Sequence, residues 1–406
     1  MRKEGQVRIP SGCAISAVIS REGRRMSGEK IVESMRPMHD RSNGLGGGFA
    51  AYGIYPDYKD CFALHLFFHD NDCRAQCERY LKERLEVVWA EEIPTRKIPE
   101  ITDDQLLVKV TYTGMCHSEW YPWTVARPGE VFGHETVGVV AKCGRNVTEF
   151  REGDRVTGLG GGGYREYIVM EPDKTCRVPD NLKDEDAIVE PLACLLSAAM
   201  KMPWTTLGDP VAVVGAGYMG LGMITLFKAM GYGDIIAIDK RPEARGNARK
   251  MGATEVLAPE EIPAEYRLDW KAIGTPDLTR DGHKTDIFGI GFPHVMEFTG
   301  TQDGLQLAGE LVCAHGRLGI GGYHNDGPRT IDYKLWNFKA MDTVNCHERR
   351  IMYEAGLCKR CLMLLSRGIW KFTGVTNHIY SMEEFDKANE DMELHRDGFI
   401  KGAVRC

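Results

Sequence analysis

One strand–turn–helix–strand pattern near the middle of the sequence constrains the fold more than any other feature. The apolar run Val211–Val214 leads directly into a glycine-rich turn, Gly215–Gly220, and the run Leu221–Met230 then has helical character. A second apolar run follows and ends at Asp239, about 20 residues beyond the last glycine. This order predicts a βαβ unit of a doubly wound parallel α/β sheet.

Each glycine of this turn has a physical role in binding a dinucleotide. Gly215 permits the tight turn, Gly217 lets a pyrophosphate approach the backbone, and Gly220 allows the helix to pack closely on the strand. Tyr218 and Met219 complete the turn at the helix N-terminus, where unpaired N–H groups bind phosphate oxygens. We therefore expect cofactor-binding residues at these five positions.

The acid at the end of the second strand predicts which dinucleotide binds. The Asp239 carboxylate can accept hydrogen bonds from ribose hydroxyls and would repel a 2′-phosphate, which favours NAD over NADP. Lys240 and Arg241 follow it and reduce this preference without reversing it. Lys240 is included among the expected cofactor contacts.

A cluster of metal-binding residue types lies between residues 114 and 135. Cys116 follows a predicted strand, Ser118 comes two positions later, and His134 and Glu135 follow Gly133. Either the cysteine or the histidine alone would more often be a buried core residue. Together they provide the sulfur, nitrogen and oxygen ligands of a zinc site with one open position, as catalysis requires.

Composition and charge exclude several function classes. The 406 residues carry a formal net charge of −7, with no broad basic region for nucleic acid. The sequence has no run of 18 apolar residues, so it predicts no membrane span, and the charged N-terminus lacks the apolar core of a secretory signal. The 13 cysteines show no disulfide framework, so we expect a cytoplasmic protein with reduced thiols.

Residues 99–406 resemble the zinc-dependent medium-chain dehydrogenase/reductase superfamily, in its polyol and threonine dehydrogenase branch. The resemblance rests on Gly114–Glu119, Gly133–Val140, Val147–Val156 and Glu190–Cys194. It implies that Cys116, His134 and Glu135 bind catalytic zinc, that Glu190 can approach the metal, and that Ser118 relays the substrate proton.

The resemblance also implies the architecture. A GroES-like, mainly antiparallel β catalytic domain would span 99–195 and return at 337–406, around a Rossmann domain for NAD at 196–336. It implies a homo-oligomer, either a dimer or a tetramer. Many relatives carry a four-cysteine lobe for a second zinc, but the loop from Trp120 to Val131 has no cysteine, so we expect one zinc per chain. Glu119 stands where the family usually has Asp.

Residues 1–98 resemble a truncated N-terminus of class II glutamine amidotransferases. The resemblance rests on Gly12–Ser16, Met38–Tyr55 and Glu91–Lys97, and it would make Cys13 a nucleophile after cleavage before it. No second Asn-Gly follows Gly44 in this segment to supply oxyanion donors. The alternative is that this segment is a truncated or fused piece with structural value at most.

These observations predict an NAD-dependent zinc oxidoreductase that acts on a small secondary alcohol, either a polyol or a sugar-like molecule. Two other hypotheses stay open. The chain could bind NAD as a scaffold or sensor with little catalysis, or its first segment could supply ammonia from glutamine.

Overall fold

The structure is a computed structural model that describes residues 49–51, 57, 61, 63–66, 71–91, 98–127, 129–202, 208–274 and 289–406. The chain divides into two compact units, Met1–Arg96 and Lys97–Cys406. Cys13 and the glycine cluster Asn43–Gly48, which carry much of the amidotransferase resemblance, lie outside the described residues.

The first unit contains one antiparallel pair of short strands and one helix among its described residues. Strand β1 (Phe49–Ala51) pairs antiparallel with β2 (Ala63–His65). Helix α1 (Asn71–Lys82) begins with Asp72 in its first turn and ends with Arg79 and Lys82, as the helix dipole favours.

The described part of the second unit forms two sheets and the helices around them. Its strands are β3 (Leu106–Gly114), β4 (Glu135–Cys143), β5 (Arg155–Leu159), β6 (Tyr167–Met170), β7 (Thr175–Arg177), β8 (Val211–Val214), β9 (Ile235–Ile238), β10 (Glu255–Leu257), β11 (Phe292–Glu297), β12 (Val312–Ile320), β13 (Asp342–Asn345), β14 (His378–Ser381) and β15 (Gly402–Arg405). Its α-helices are α2 (Trp120–Thr124), α3 (Glu190–Lys201), α4 (Tyr218–Met230), α5 (Pro242–Met251), α6 (Trp270–Ile273), α7 (Gln302–Leu311), α8 (Tyr333–Phe338), α9 (Ile351–Ser366) and α10 (Phe385–Leu394).

The first sheet is mixed and has the strand order β14-β15-β3-β4-β5-β7, with β6 also pairing with β3. Every pair is antiparallel except β14 with β15. Apolar side chains of β3 to β6 form a compact core on one face of the sheet, including Leu106, Val108, Val140, Val156 and Ile168. This sheet places the end of β3 beside the start of β4, where the predicted metal ligands lie.

The second sheet is parallel, with the order β10-β9-β8-β11-β12-β13. All four residues of β8 and all four of β9 are buried, which explains their continuous apolar sequences. The strand order reverses between β8 and β11, and ligands of such sheets bind at this kind of switch point. The predicted α/β fold with a Rossmann sheet is confirmed.

The edge strand β13 lies beyond residue 336, so the parallel sheet continues past the point where the sequence predicts a return to the catalytic domain. Asp342, Thr343 and Asn345 are exposed on this strand. A polar edge strand has no apolar run to identify it in a sequence. Helix α9 and strands β14 and β15 then complete the catalytic part of the unit.

No helix in the described parts of the chain is long and apolar enough to cross a membrane.

Candidate active site

The register of β3 against β4 brings the predicted ligands together. Gly114, the last residue of β3, pairs with Glu135, the first residue of β4. A side chain at position 114 would not fit, because an added Cβ would lie 2.1 Å from Glu135 Oε2 and 2.8 Å from Ile188 Cγ2. Cys116 follows two residues after Gly114, at the start of a short 3₁₀ turn. The glycine therefore lets the Glu135 carboxylate lie directly beside the cysteine.

Cys116, His134 and Glu135 form a cluster that could hold one metal ion. One ligand atom from each of the three side chains lies within 4.8 Å of the others. Ser118 lies at the edge of the cluster, where its hydroxyl donates to Cys116 Sγ at 3.2 Å. A thiolate, an imidazole and a carboxylate are a donor set typical of catalytic zinc with an open fourth position. The residues therefore fit zinc.

Glu135 itself gives independent support for a bound cation. Its side chain is only 1% exposed, and neither carboxylate oxygen has a hydrogen-bond partner among the described residues. The Lys401 ammonium forms an ion pair with Oε2 at 2.5 Å, without hydrogen-bond geometry, while it donates to the Met115 carbonyl at 2.8 Å. A buried carboxylate normally has its lone pairs satisfied. The carboxylate therefore keeps acceptor capacity that a cation bound beside Cys116 and His134 could use.

Glu119 orients the histidine of the cluster. Its Oε1 lies 2.8 Å from His134 Nδ1 and accepts the Gly133 N–H at 2.7 Å, and its Oε2 accepts the Tyr164 hydroxyl at 3.2 Å. A carboxylate behind a metal-ligating histidine fixes the tautomer and the ring orientation. The longer acid at position 119 therefore occupies a supporting position, with Nε2 left for the metal.

The charges around His134 stabilise its protonated form. Burial acts to lower its pKa, but hydrogen bonds to Cys116 and Glu119 and the charge of Glu135 raise the pKa to about 12. In the metal-free protein the imidazolium thus neutralises its acidic neighbours. A metal that binds Nε2 must displace this proton.

Glu190 lies near the cluster but belongs to a second group of side chains. Glu190 is the first residue of α3. One ligand atom from each of Glu190, Cys194 and Glu354 lies within 4.8 Å of the others, and the Cys194 thiol donates to Glu354 Oε1 at 3.0 Å. Burial raises the pKa of Glu190, and the charge of Glu135 raises it further. Burial also raises the pKa of Cys194, so its thiol keeps the proton that a metal would have to replace. Glu190 is thus within electrostatic range of the ligand trio.

The glycine-rich turn has the geometry that its sequence predicts. Gly215 has φ of 94°, and an added Cβ at Gly220 would lie 1.8 Å from the Gly215 carbonyl oxygen. At Gly217 an added Cβ would meet only Arg241 Nη2, at 3.7 Å, so the backbone is open to a ligand there. The turn therefore leaves space over the N-terminus of α4 for phosphates.

The other predicted cofactor residues surround this turn. Tyr218 begins α4, and the Lys401 ammonium lies 4.7 Å from the centre of its ring, so one lysine touches both the metal cluster and the cofactor turn. Met219 is half-buried next to Tyr218, and Lys240 is exposed at the end of β9. Asp239 is buried there and accepts the Ala216 N–H at 2.8 Å.

The sequence does not predict three of the residues that the structure places at the site. Lys401 and Glu354 come from the C-terminal part of the chain, and Tyr164 follows a run of glycines. None lies within a recognisable ligand pattern. Only the antiparallel pairing of β15 with β3 brings Lys401 to the cluster.

Comparison with known proteins identifies the family. The family model of the alcohol dehydrogenase GroES-like domain matches residues 102–180. Sorbitol dehydrogenase of Bacillus subtilis strain 168 is 30% identical over 335 residues, covering 73% of this chain and 89% of that protein. The chain belongs to the zinc-type medium-chain alcohol dehydrogenase family.

Other members of this family are similar over most of their length. L-threonine 3-dehydrogenase of Anaeromyxobacter dehalogenans strain 2CP-C is 25% identical over 356 residues, 78% of this chain and 96% of that enzyme. A protein described as a zinc-binding dehydrogenase of Sinorhizobium meliloti 1021, solved with NADP bound, shares the fold with a TM-score of 0.62 and 20% identity over 76% of this chain and 94% of that one. The zinc-type alcohol dehydrogenase fold is thus confirmed.

A shorter match has no described function. An uncharacterized protein of Archaeoglobus fulgidus is 54% identical over 84 residues, and this chain spans only 22% of its length. The resemblance of residues 1–98 to amidotransferases is not shown by these comparisons.

Proposed function

We propose that this oxidoreductase of the zinc-type alcohol dehydrogenase family transfers a hydride from a secondary alcohol, a polyol or a sugar-like molecule, to NAD. The observation that carries the proposal is the buried Glu135 carboxylate, which accepts no hydrogen bond among the described residues and lies beside Cys116 and His134. The polyol class is supported by the carboxylate ligand next to His134 and by the similarity to sorbitol dehydrogenase.

The residues of the cluster have separate roles in this proposal. Cys116, His134 and Glu135 would hold one zinc ion, and Glu190 could approach it. When bound, zinc supplies Lewis acidity, which lowers the pKa of a hydroxyl by several units and so favours its deprotonation at neutral pH. Ser118 relays the released proton: its hydroxyl, which lies within hydrogen-bond distance of Cys116 Sγ, accepts the substrate proton while it passes its own toward the cofactor ribose and solvent.

The cofactor side of the site positions the hydride acceptor. The turn Gly215–Gly220 binds the pyrophosphate at the N-terminus of α4, and Asp239 lies at the carboxyl end of β9, where an adenosine ribose binds in sheets of this kind. A nicotinamide would lie in the crevice at the carboxyl ends of β8 and β11, where the strand order of the sheet reverses.

The test is a panel of polyols and other secondary alcohols assayed by NADH absorbance, with metal analysis of the same protein. We expect turnover with at least one polyol and loss of turnover after chelation, restored by added zinc. Full activity of metal-free protein would contradict the proposed mechanism.

Neither alternative from the sequence is favoured. An NAD-binding scaffold would show NADH binding by calorimetry without turnover on the same panel, but the assembled ligand trio argues for catalysis. Ammonia supply by residues 1–98 needs a free amine on Cys13, which N-terminal sequencing would detect. Assembly as a dimer or tetramer and a cytoplasmic location stay predictions from the sequence.

A further inference from the structure

A single arginine covers the acid that is expected to select NAD. Arg241, two residues beyond Asp239, donates its backbone N–H to Asp239 Oδ1 at 2.8 Å and its side-chain Nε to the same oxygen at 3.2 Å. Its Nη2 donates to Oδ2 at 3.2 Å, and Oδ2 also accepts the Ala216 N–H at 2.8 Å. All these donors converge on one carboxylate.

The four hydrogen bonds use the acceptor capacity of Asp239. An ionised carboxylate has about four lone-pair positions on its two oxygens. Two donors occupy each oxygen here, so ribose hydroxyls can bind Asp239 only if the Arg241 side chain withdraws. Burial acts to raise the pKa of Asp239, but the hydrogen bonds from Arg241 and Ala216 outweigh it and hold the pKa below its usual value. The carboxylate is therefore ionised and paired.

The guanidinium also faces the dinucleotide position. Its Nη2 lies 3.7 Å from where a Cβ on Gly217 would be, above the turn that is open to the pyrophosphate. The Arg241 side chain is 28% exposed, whereas that of Asp239 is 7% exposed. A ligand that enters beside the turn thus meets the positive charge of Arg241 before the negative charge of Asp239. Arg245 adds a second cation nearby, fixed to the carbonyls of Asp239 and Lys240.

We propose that Arg241 sets the cofactor specificity of this site and lets it accept the 2′-phosphorylated dinucleotide NADP in addition to NAD. The inference rests on the proposed function, because it assumes that a nicotinamide dinucleotide binds at this turn. Arg241 neutralises the charge that would repel a 2′-phosphate, and its guanidinium can pair with that phosphate through two N–H groups. With NAD, the same side chain must instead give up part of its contact with Asp239.

The test compares NADH and NADPH binding to the full-length protein by titration of their fluorescence, which does not depend on turnover. The variants are Arg241→Ala and, as a matched control, Lys250→Ala, which removes an exposed positive charge from the far end of the same helix, α5. We expect the wild-type protein and the control to bind the two dinucleotides within about tenfold of each other. Arg241→Ala should weaken NADPH binding by roughly 10- to 100-fold, the effect of one lost charge-assisted contact, while NADH binding stays equal or becomes tighter.

Arg241→Lys provides a second measurement. It keeps the charge but loses the two-pronged contact, so NADPH affinity should fall between the wild-type and alanine values. The inference is overturned if the wild-type protein excludes NADPH by more than about 100-fold, or if Arg241→Ala weakens both dinucleotides equally. Failure of the wild-type protein to bind either dinucleotide would instead refute the proposed function itself.

Discussion

Removal of Glu119 tests whether the hydrogen bonds behind His134 prepare the metal site. Glu119→Ala deletes the acceptor of His134 Nδ1 at 2.8 Å and of the Gly133 N–H at 2.7 Å. The buried Tyr164 hydroxyl keeps its other partner, the Gly114 carbonyl at 3.1 Å, so the surrounding fold retains its anchor. The imidazole ring should then sample orientations in which Nε2 no longer faces Cys116.

The expected loss is in zinc affinity. Removal of a carboxylate partner from a metal-ligating histidine typically lowers affinity 10- to 100-fold, or about 1.4 to 2.7 kcal/mol. Competition with a chromophoric chelator measures this directly. Glu119→Asp, which restores the acid that the family usually has, should recover most of the affinity.

Two results would refute this reasoning. Zinc affinity within about twofold of the wild-type value would mean that Glu119 does not position His134, since the expected effect is at least tenfold. Loss of NADH binding together with zinc would mean that the substitution disrupts the fold, because the hydrogen bonds of Glu119 among the described residues go to Gly133, His134 and Tyr164 and not to the cofactor turn.

Three further predictions follow from the same geometry. Gly114→Ala should force the Glu135 side chain away, lower the free energy of unfolding by about 1 to 3 kcal/mol in denaturant and abolish zinc binding. The control Gly161→Ala, where an added Cβ meets nothing within 4 Å, should have neither effect. Equal effects of the two substitutions would contradict the packing argument. Lys401→Met removes the ammonium paired with buried Glu135 and leaves the His134 imidazolium beside that carboxylate, so it should destabilise the metal-free protein by up to about 3 to 5 kcal/mol. The loss should be smaller when zinc is bound, and an equal loss with and without zinc would show that zinc does not compensate Glu135. Because the pKa of His134 is raised to about 12 in the metal-free fold, its proton is retained across pH 6 to 9 and leaves when zinc binds. Apparent zinc affinity should therefore rise at least about tenfold per pH unit, since any other ligand that loses a proton adds to the slope. Affinity that is flat or falls with rising pH would exclude proton release from this histidine.

The sequence predicts most of the scaffold because local patterns determine it. The apolar run of β8, its glycine turn and Asp239 lie within one short stretch, so strand, turn and acid can be recognised together. Cys116, His134 and Glu135 can also be recognised from the sequence. Cys116 follows strand β3, His134 and Glu135 lie at the start of strand β4, and these two strands pair. These features need no knowledge of distant parts of the chain.

The supporting contacts could not be predicted because they join distant segments. Lys401 donates to the Met115 carbonyl from 286 positions away, and only the position of β15 beside β3 explains that contact. The pairing of Cys194 with Glu354 depends in the same way on the packing of α3 against α9. The sequence does not predict the polar strand β13, because its exposed residues carry no apolar pattern. Tertiary packing decides such contacts.

Zinc content of the wild-type protein and of Cys116→Ser, measured beside NADH binding, shows whether Cys116 belongs to the metal site. A serine hydroxyl is a poor ligand in place of a thiolate, so we expect one zinc per wild-type chain and none in Cys116→Ser. NADH binding should be preserved in both, because the cofactor turn does not need the metal. Two zincs per wild-type chain, or one zinc retained by Cys116→Ser, would show that the metal lies elsewhere.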